Sequence, residues 1–470
     1  MVSESPALPV TLNRESTVPL AVQLAEELRA AAGDGRLRSG DRLPSTRALA
    51  VQLRVSRTVT AAAYEQLHAE GWITGKHGSG TYVTTAPPGF PDARPRPAPA
   101  PGAAPSLVDL RPGSPWAGGI DKPAWRRAWR GAADVLPLAR HERAGLPAYR
   151  AVVAEHLLRH RGLRVSVDES VLATGGTTAA VAELAASVLR RGDVVAVEEP
   201  GYQRAVQAME AAGLRVVPAP VDEDGLLLDV IPAGARAVYC SPAHQYPLGR
   251  RMSAERRVAL VERARRAGWL VIEDDYDGEL RYDVAPLPLL ASLAPDVVVH
   301  LGTTSKILTP TLGAGWMVAP PTVVSAVLAH REATGTSPAP AGQLVLVELA
   351  RNGDLGRHLR RLRRELSERR TFLVDALSAA GVRFLGDDAG AHLVIPLPSA
   401  AAEDRLIAAA AARGLELDGL ARHHHGPPTW FGIALGYAAC SRPQLTTALP
   451  ALLALLSETH PPSSHPANLG

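Results

Sequence analysis

Between Thr85 and Ser106 the chain reads TAPPGFPDARPRPAPAPGAAPS, a run of proline, alanine and arginine with no apolar periodicity. Proline removes a backbone donor and fixes φ, so such a run builds neither a helix nor a central strand. It favours extended polyproline conformations and acts as a semi-stiff spacer. Whatever folds must lie on either side of it. The expected organisation is a small head at 12–84, a linker at 85–106 and a large body at 107–457, with 458–470 read as a disordered polar tail. With 470 residues in all, the chain is too long for one ordinary core, which agrees with this division.

A hydrophobic fraction of 46% and a charged fraction of 21% are those of a globular chain. Net charge is only +3, so any nucleic-acid-binding surface has to be local. The basic residues are nearly all arginine; Lys76, Lys122 and Lys306 are the three lysines. Chemistry that needs a lysine amine therefore has three candidates. Cys240 and Cys440 are far apart and lack metal-ligand spacing, so neither a disulfide framework nor a metal site is expected, which suits a reducing cytoplasm. MVSESPALPV has no basic region followed by an apolar run, so no signal peptide is expected. No apolar stretch approaches the roughly 18 residues needed to span a bilayer, and Ala448–Leu456 reads instead as the buried face of a last helix.

In the head, Leu20, Leu24 and Leu28 recur at helical spacing and predict a helix over Pro19–Ala32. Ser45 can cap a second helix running to about Leu53. Val55–Ser56 turn the chain into a third, Arg57–Glu70, stopped by Gly71. Trp72–Thr74 and Thr81–Thr84 then flank a glycine-rich hairpin tip. Two helices joined by a tight turn and followed by a hairpin wing can place the second helix in the major groove of duplex DNA. Its first turn carries Ser56, Arg57, Thr58 and Thr60, suited to guanine and phosphate oxygens. Lys76, His77, Gly78, Ser79 and Gly80 offer the wing a charge and close backbone approach.

The body alternates short buried strands (Ser170–Ala173, Val194–Val197, Arg215–Pro218, Ala237–Cys240, Leu270–Glu273, Val297–Leu301) with helical patterns such as Thr177–Arg190, Gln203–Ala212 and Ala254–Ala267. This predicts an α/β fold with a mostly parallel sheet covered on both faces. A smaller α+β part follows around His392–Pro398 and Gly432–Ala438. RHLRRLRRELSERR, Arg357–Arg370, reads as a surface helix that could touch DNA phosphates, and His423–His425 as a polar loop.

Chemistry-bearing groups sit where strands end. LGTTSK delivers Lys306, whose amine can form a Schiff base with an aldehyde, beside the hydroxyls of Thr303 and Ser305. VIEDDYDGELRY delivers Asp274, a carboxylate fit for a pyridinium nitrogen, and Tyr276, a phenol fit for a ring oxygen. TGGTTAA opens a helix at Gly176 and Thr177, where backbone N–H groups favour an anion. EEPGY presents Tyr202 for stacking, and SPAHQYPLG is a further strand-end loop.

The head resembles the GntR class of winged-helix regulators in its G-x-L-x-x-G-D-x-L-P-S-x-R, V-S-R-x-x-V and E-G-W…G-S-G-T-x-V elements. The body resembles fold-type-I aminotransferases, and the two together resemble the MocR subfamily. The resemblance implies a transcription regulator that binds operator DNA through Arg47, Arg57, Thr58 and His77–Gly80. It implies pyridoxal 5'-phosphate held by Lys306, Asp274, Tyr276 and Tyr202, with its phosphate on Gly176, Thr177, Thr303 and Ser305. Arg204 becomes a candidate for an effector carboxylate, and a head-to-tail homodimer is expected. Three positions depart from the pattern. Gly313 stands where an arginine usually follows the lysine. Tyr246 replaces the asparagine of Asn-Pro-x-Gly and joins the expected cofactor shell. GIALGYA has no arginine, leaving Arg422 as the nearest. Two rival readings stay open on the sequence: a working aminotransferase carrying a head, and a regulator whose body has lost the cofactor and senses another ligand.

Overall fold

A computed structural model describes residues 10–76, 80–84, 107–136, 139–282 and 288–459. The chain divides into two compact units, before and after residue 102, and the expected linker lies outside the described residues.

The head has helices at Leu20–Gly33, Thr46–Leu53 and Arg57–Ala69. Ser45 and Ser56 cap the second and third, each hydroxyl accepting a backbone N–H three residues on. Arg54, in the left-handed region at φ 51°, makes the sharp turn between them. Leu24, Leu28, Leu49, Leu67, Ile73 and Val83 form the core. The wing has one more strand than expected: Arg42–Leu43 pairs antiparallel with Gly80–Val83, which pairs with Ile73–Lys76. A two-residue strand beside a proline carries too little period-2 pattern to be read from sequence.

The body is built on an eight-stranded sheet. Its order is Val171–Thr174, Gly315–Val318, Val298–Thr303, Leu270–Asp274, Ala235–Cys240, Val194–Glu199, Arg215–Asp222 and Gly225–Leu226. The five inner strands from 298–303 to 215–222 are parallel, as expected. Gly315–Val318, missed in the sequence, is antiparallel to both neighbours. Its glycine hid it and is also what lets it fit. A Cβ on Gly315 would lie 2.7 Å from the Gly176 Cα and 2.8 Å from the Gly302 carbonyl oxygen. Strands such as Val194–Glu199 are buried along their whole length because helices cover both faces.

A second, three-stranded sheet, His392–Pro396, Gly432–Gly436 and Asp418–Gly419, forms the C-terminal part. The last helix, Arg442–Thr459, buries Leu452, Leu455 and Leu456. It extends past the expected boundary, so Glu458, assigned to the tail, pairs with Arg413 instead.

The basic segment 357–370 also needs correction. It lies in the helix Asp354–Ala379, but much of its charge turns inward. Arg369 is buried at 2% exposure and donates to the carbonyls of Tyr437, Ala438 and Cys440. Arg363 donates to the Glu279 carbonyl and Arg370 to those of Gly386 and Asp387. These arginines tie the long helix to the body and are not free for phosphates.

Candidate functional site

The parallel strands end on one side of the sheet, and there they open a pocket of about 510 Å³, within the range of small-ligand sites. Lys306, Asp274, Tyr276, Tyr202, Tyr246, Gly176, Thr177, Thr303, Ser305 and Arg204 all line it. Every cofactor and effector residue expected from the sequence is thus brought together.

Asp274, the last residue of its strand, lies at the floor and is 3% exposed. Its carboxylate accepts from the Tyr239 hydroxyl at 2.5 Å and from Thr177 Oγ1 at 3.3 Å. Burial pushes its pKa up to about 7, against the opposing pull of those two donors. Between pH 4 and 7 the folded protein therefore keeps a proton that the unfolded chain releases. Stability carried by Asp274 is present below about pH 4, falls as pH rises to about 7, and is level above that. Asp274→Asn should remove that part of the slope, about 4 kcal/mol in all and about 3 kcal/mol between pH 5 and pH 8; unfolding midpoints at pH 5 and pH 8 with no change in their difference would refute it.

Lys306 is half-buried, and desolvation lowers its pKa despite Asp277 and Asp274 nearby. Its amine donates to the Gly113 carbonyl oxygen at 2.6 Å. Gly113 belongs to a segment, Pro112–Pro115, that crosses the pocket and was not foreseen. The Tyr276 hydroxyl lies 3.0 Å from His244 Nδ1, which also meets Asp277 Oδ2 at 2.8 Å. The Asp277 carboxylate requires a proton on that nitrogen. With that hydrogen on Asp277, the nitrogen cannot accept from Tyr276, whose own hydrogen stays free. Tyr202 meets Thr178 Oγ1 at 3.1 Å and stands edge-on to Tyr246, with ring centroids 6.2 Å apart.

An anion cradle lies beside the lysine. The helix Thr177–Ser187 begins at Gly176, φ 109°, with no side-chain cap, so its first N–H groups are not taken by a capping side chain. Thr303 Oγ1 donates to Ser305 Oγ at 2.9 Å and accepts from Ser305 N at 3.1 Å. Gly313 does not line the pocket; it closes a short turn in the left-handed region, φ 59°. No arginine follows the lysine into the cradle, which is made of hydroxyls and backbone N–H groups. A buried acid, a desolvated amine, two phenols and an uncapped helix N-terminus at one pocket fit pyridoxal 5'-phosphate. They supply partners for its ring nitrogen, aldehyde, ring oxygen and phosphate.

His392 and His423 also line the pocket. His423 corrects the reading of 423–425 as a loose polar loop, because it is buried against Asp418 at 3.2 Å. Arg422 lines the pocket but is bound by both oxygens of Asp418. Arg204 makes no hydrogen bond or ion pair among the described residues.

In the head, Arg47, Arg57 and Thr58 are exposed at the second and third helices. Ser56 is exposed, with its hydroxyl occupied as a cap. Thr60 is not a DNA contact. It is 0% exposed, and its hydroxyl donates to the carbonyls of Thr46 and Arg57 at 2.8 and 3.0 Å. Three residues past Arg57, it falls on the inner face and clamps the two helices together. Lys76 ends a wing strand and Gly80 begins the next, with φ 121° and the Arg42 guanidinium beside it. His77, Gly78 and Ser79 lie outside the described residues.

Comparison with known proteins agrees with both parts. Residues 20–83 match the bacterial regulatory proteins of the gntR family, and residues 140–452 match aminotransferase class I and II. The HTH-type pyridoxine biosynthesis transcriptional regulator PdxR of Corynebacterium glutamicum is 33% identical, over 92% of this chain and 95% of its own length. The probable rhizopine catabolism regulatory protein MocR of Rhizobium meliloti is 33% identical, over 91% and 92%. Among solved structures, the kynurenine aminotransferase of Pyrococcus horikoshii superposes with TM-score 0.67 at 23% identity, over 75% of this chain and 91% of its own; that likeness concerns the fold. The chain therefore belongs to the MocR subfamily of GntR-type transcription regulators, DNA-binding proteins with an aminotransferase-like body.

Proposed function

We propose that the body binds pyridoxal 5'-phosphate together with an amino-acid-like effector, and that this binding controls how the head occupies its operator in the cytoplasm. The carrying observation is Lys306 beside the buried Asp274 in one pocket of a chain that also bears a DNA-reading head. The bound cofactor supplies an aldehyde that condenses with amines. Lys306 would hold it, and Asp274 would be the carboxylate for its ring nitrogen. Tyr276 donates to the ring oxygen with the hydrogen that His244 leaves free. Tyr202 and Tyr246 wall the ring. Gly176, Thr177, Thr303 and Ser305 take the phosphate. Two copies are expected to associate head to tail, which pairs two heads for two half-sites.

Arg204 supports the effector half of this reading, being a cation at the pocket with no hydrogen-bonded or ionic partner among the described residues, whereas Arg422 is already neutralised by Asp418. A carboxylate on Arg204 gains a charge-assisted contact. The test is a visible-absorbance titration of the cofactor-loaded protein with a panel of amino acids. Arg204→Gln should weaken a responding amino acid by roughly 10- to 100-fold, matching about 1.5–3 kcal/mol for such a bond. Equal affinity in both proteins would reject Arg204 as the carboxylate site.

A further inference from the structure

The helix Lys122–Ala133 presents Lys122, Arg126 and Arg130 at i, i+4 and i+8, all exposed. Its apolar side, Ala124, Ala128 and Ala132, is buried. The first turns of Asp354–Ala379 carry a similar stripe, with Arg357, Arg360 and Arg364 exposed opposite the buried Leu355, Leu359 and Leu362. Two ion pairs link the helices. Arg127 pairs with Asp354 at 2.6 Å, and Arg361 reaches Asp121 at 4.0 Å. Asp354 is shared by Arg127 and Arg357, so the two exposed stripes adjoin at that residue.

Asp134, one turn past Arg130, is exposed and makes no ion pair among the described residues, whereas the other local acids are committed. Asp354 is buried beneath Arg127 and Arg357, Glu348 pairs with Arg351, and Glu365 and Glu368 pair with Arg369 and Arg442. Lys122, Arg126, Arg130, Arg360 and Arg364 make no side-chain hydrogen bond or ion pair among the described residues. Like charges one helical turn apart repel, so this arrangement costs stability unless a polyanion neutralises it.

We propose that this face is a second contact for duplex DNA, a sequence-independent backbone clamp on DNA flanking the site read by the head. Charge complementarity selects a polyanion, and the head selects which one, because the same chain carries a DNA-binding module. Rows of arginine at one-turn spacing read phosphates without regard to base, which adds affinity and salt dependence but no sequence preference.

The test uses the full chain and two mixed-sequence duplexes, of roughly 20 and roughly 60 base pairs, the shorter near the span of a paired head. The variant is the triple Arg126→Gln, Arg130→Gln, Arg360→Gln. Binding is measured by fluorescence anisotropy across a salt series, with light scattering for mass. On the long duplex the variant should bind at least tenfold more weakly at low salt, and its salt slope should shrink by about 3, near 0.9 per lost phosphate contact. On the short duplex it should match the unmodified protein, and a triple Arg→Lys variant should restore long-duplex binding. Equal affinity and slope on the long duplex would overturn the proposal. So would an equal loss on both duplexes, or a changed molecular mass, which would assign the stripe to contact between protein copies.

Discussion

Lys306→Ala is expected to abolish the visible absorbance band that pyridoxal 5'-phosphate gives with this protein. The effect should be all or none, because a Schiff base needs a primary amine in the pocket and Lys306 is the only lysine among the pocket residues. Arginine cannot substitute, and the other two lysines lie at the wing and on the helix Lys122–Ala133. The alanine variant should stay folded, since the lost side chain makes one hydrogen bond, to Gly113, and that carbonyl opens onto a pocket that water can enter. An absorbance spectrum after cofactor addition, beside a circular dichroism melt, checks both statements. A band that persists in the variant would refute the assignment of Lys306.

Arg369→Met should destabilise the body by about 3–5 kcal/mol, the range for removing one partner of a buried charged network. The guanidinium reaches three carbonyls in 437–440, pairs with Glu365 at 2.9 Å and lies 4.9 Å from the Trp116 ring centre. Methionine retains much of the volume but leaves those carbonyls in a dry site without donors. A urea melt showing a midpoint within experimental error of the unmodified protein would contradict this.

These two residues also mark what the sequence discloses. Lys306, Asp274 and Tyr276 were legible because each follows a run of buried β-formers, and strand ends on one side of a parallel sheet converge. The head was legible because capping serines, a tight turn and helical periodicity agree over a short stretch. Arg369 was not legible. An arginine in a run of arginines looks like surface charge, and only the fold shows that carbonyls from the loop after the strand Gly432–Gly436 surround it. Thr60 failed for the same reason, since a hydroxyl looks alike whether it faces DNA or clamps a neighbouring helix. His423 and the Pro112–Pro115 segment reach the pocket, and His244 reaches Tyr276, through contacts between distant parts of the chain, and no local spacing encodes those. Gly313 is a different case. The sequence shows the missing arginine, and the structure shows that no other arginine takes its place directly after the lysine.

The central claim is that one chain reads DNA with its head and lets a cofactor in its body set the affinity. Titrating operator DNA with the unmodified protein and with Lys306→Ala, each with and without pyridoxal 5'-phosphate, tests it most directly. The account predicts that the cofactor shifts the curve of the unmodified protein by about fivefold or more, the scale of a coupling of about 1 kcal/mol, and leaves the curve of the variant in place. Superimposable curves for the unmodified protein with and without the cofactor would contradict it.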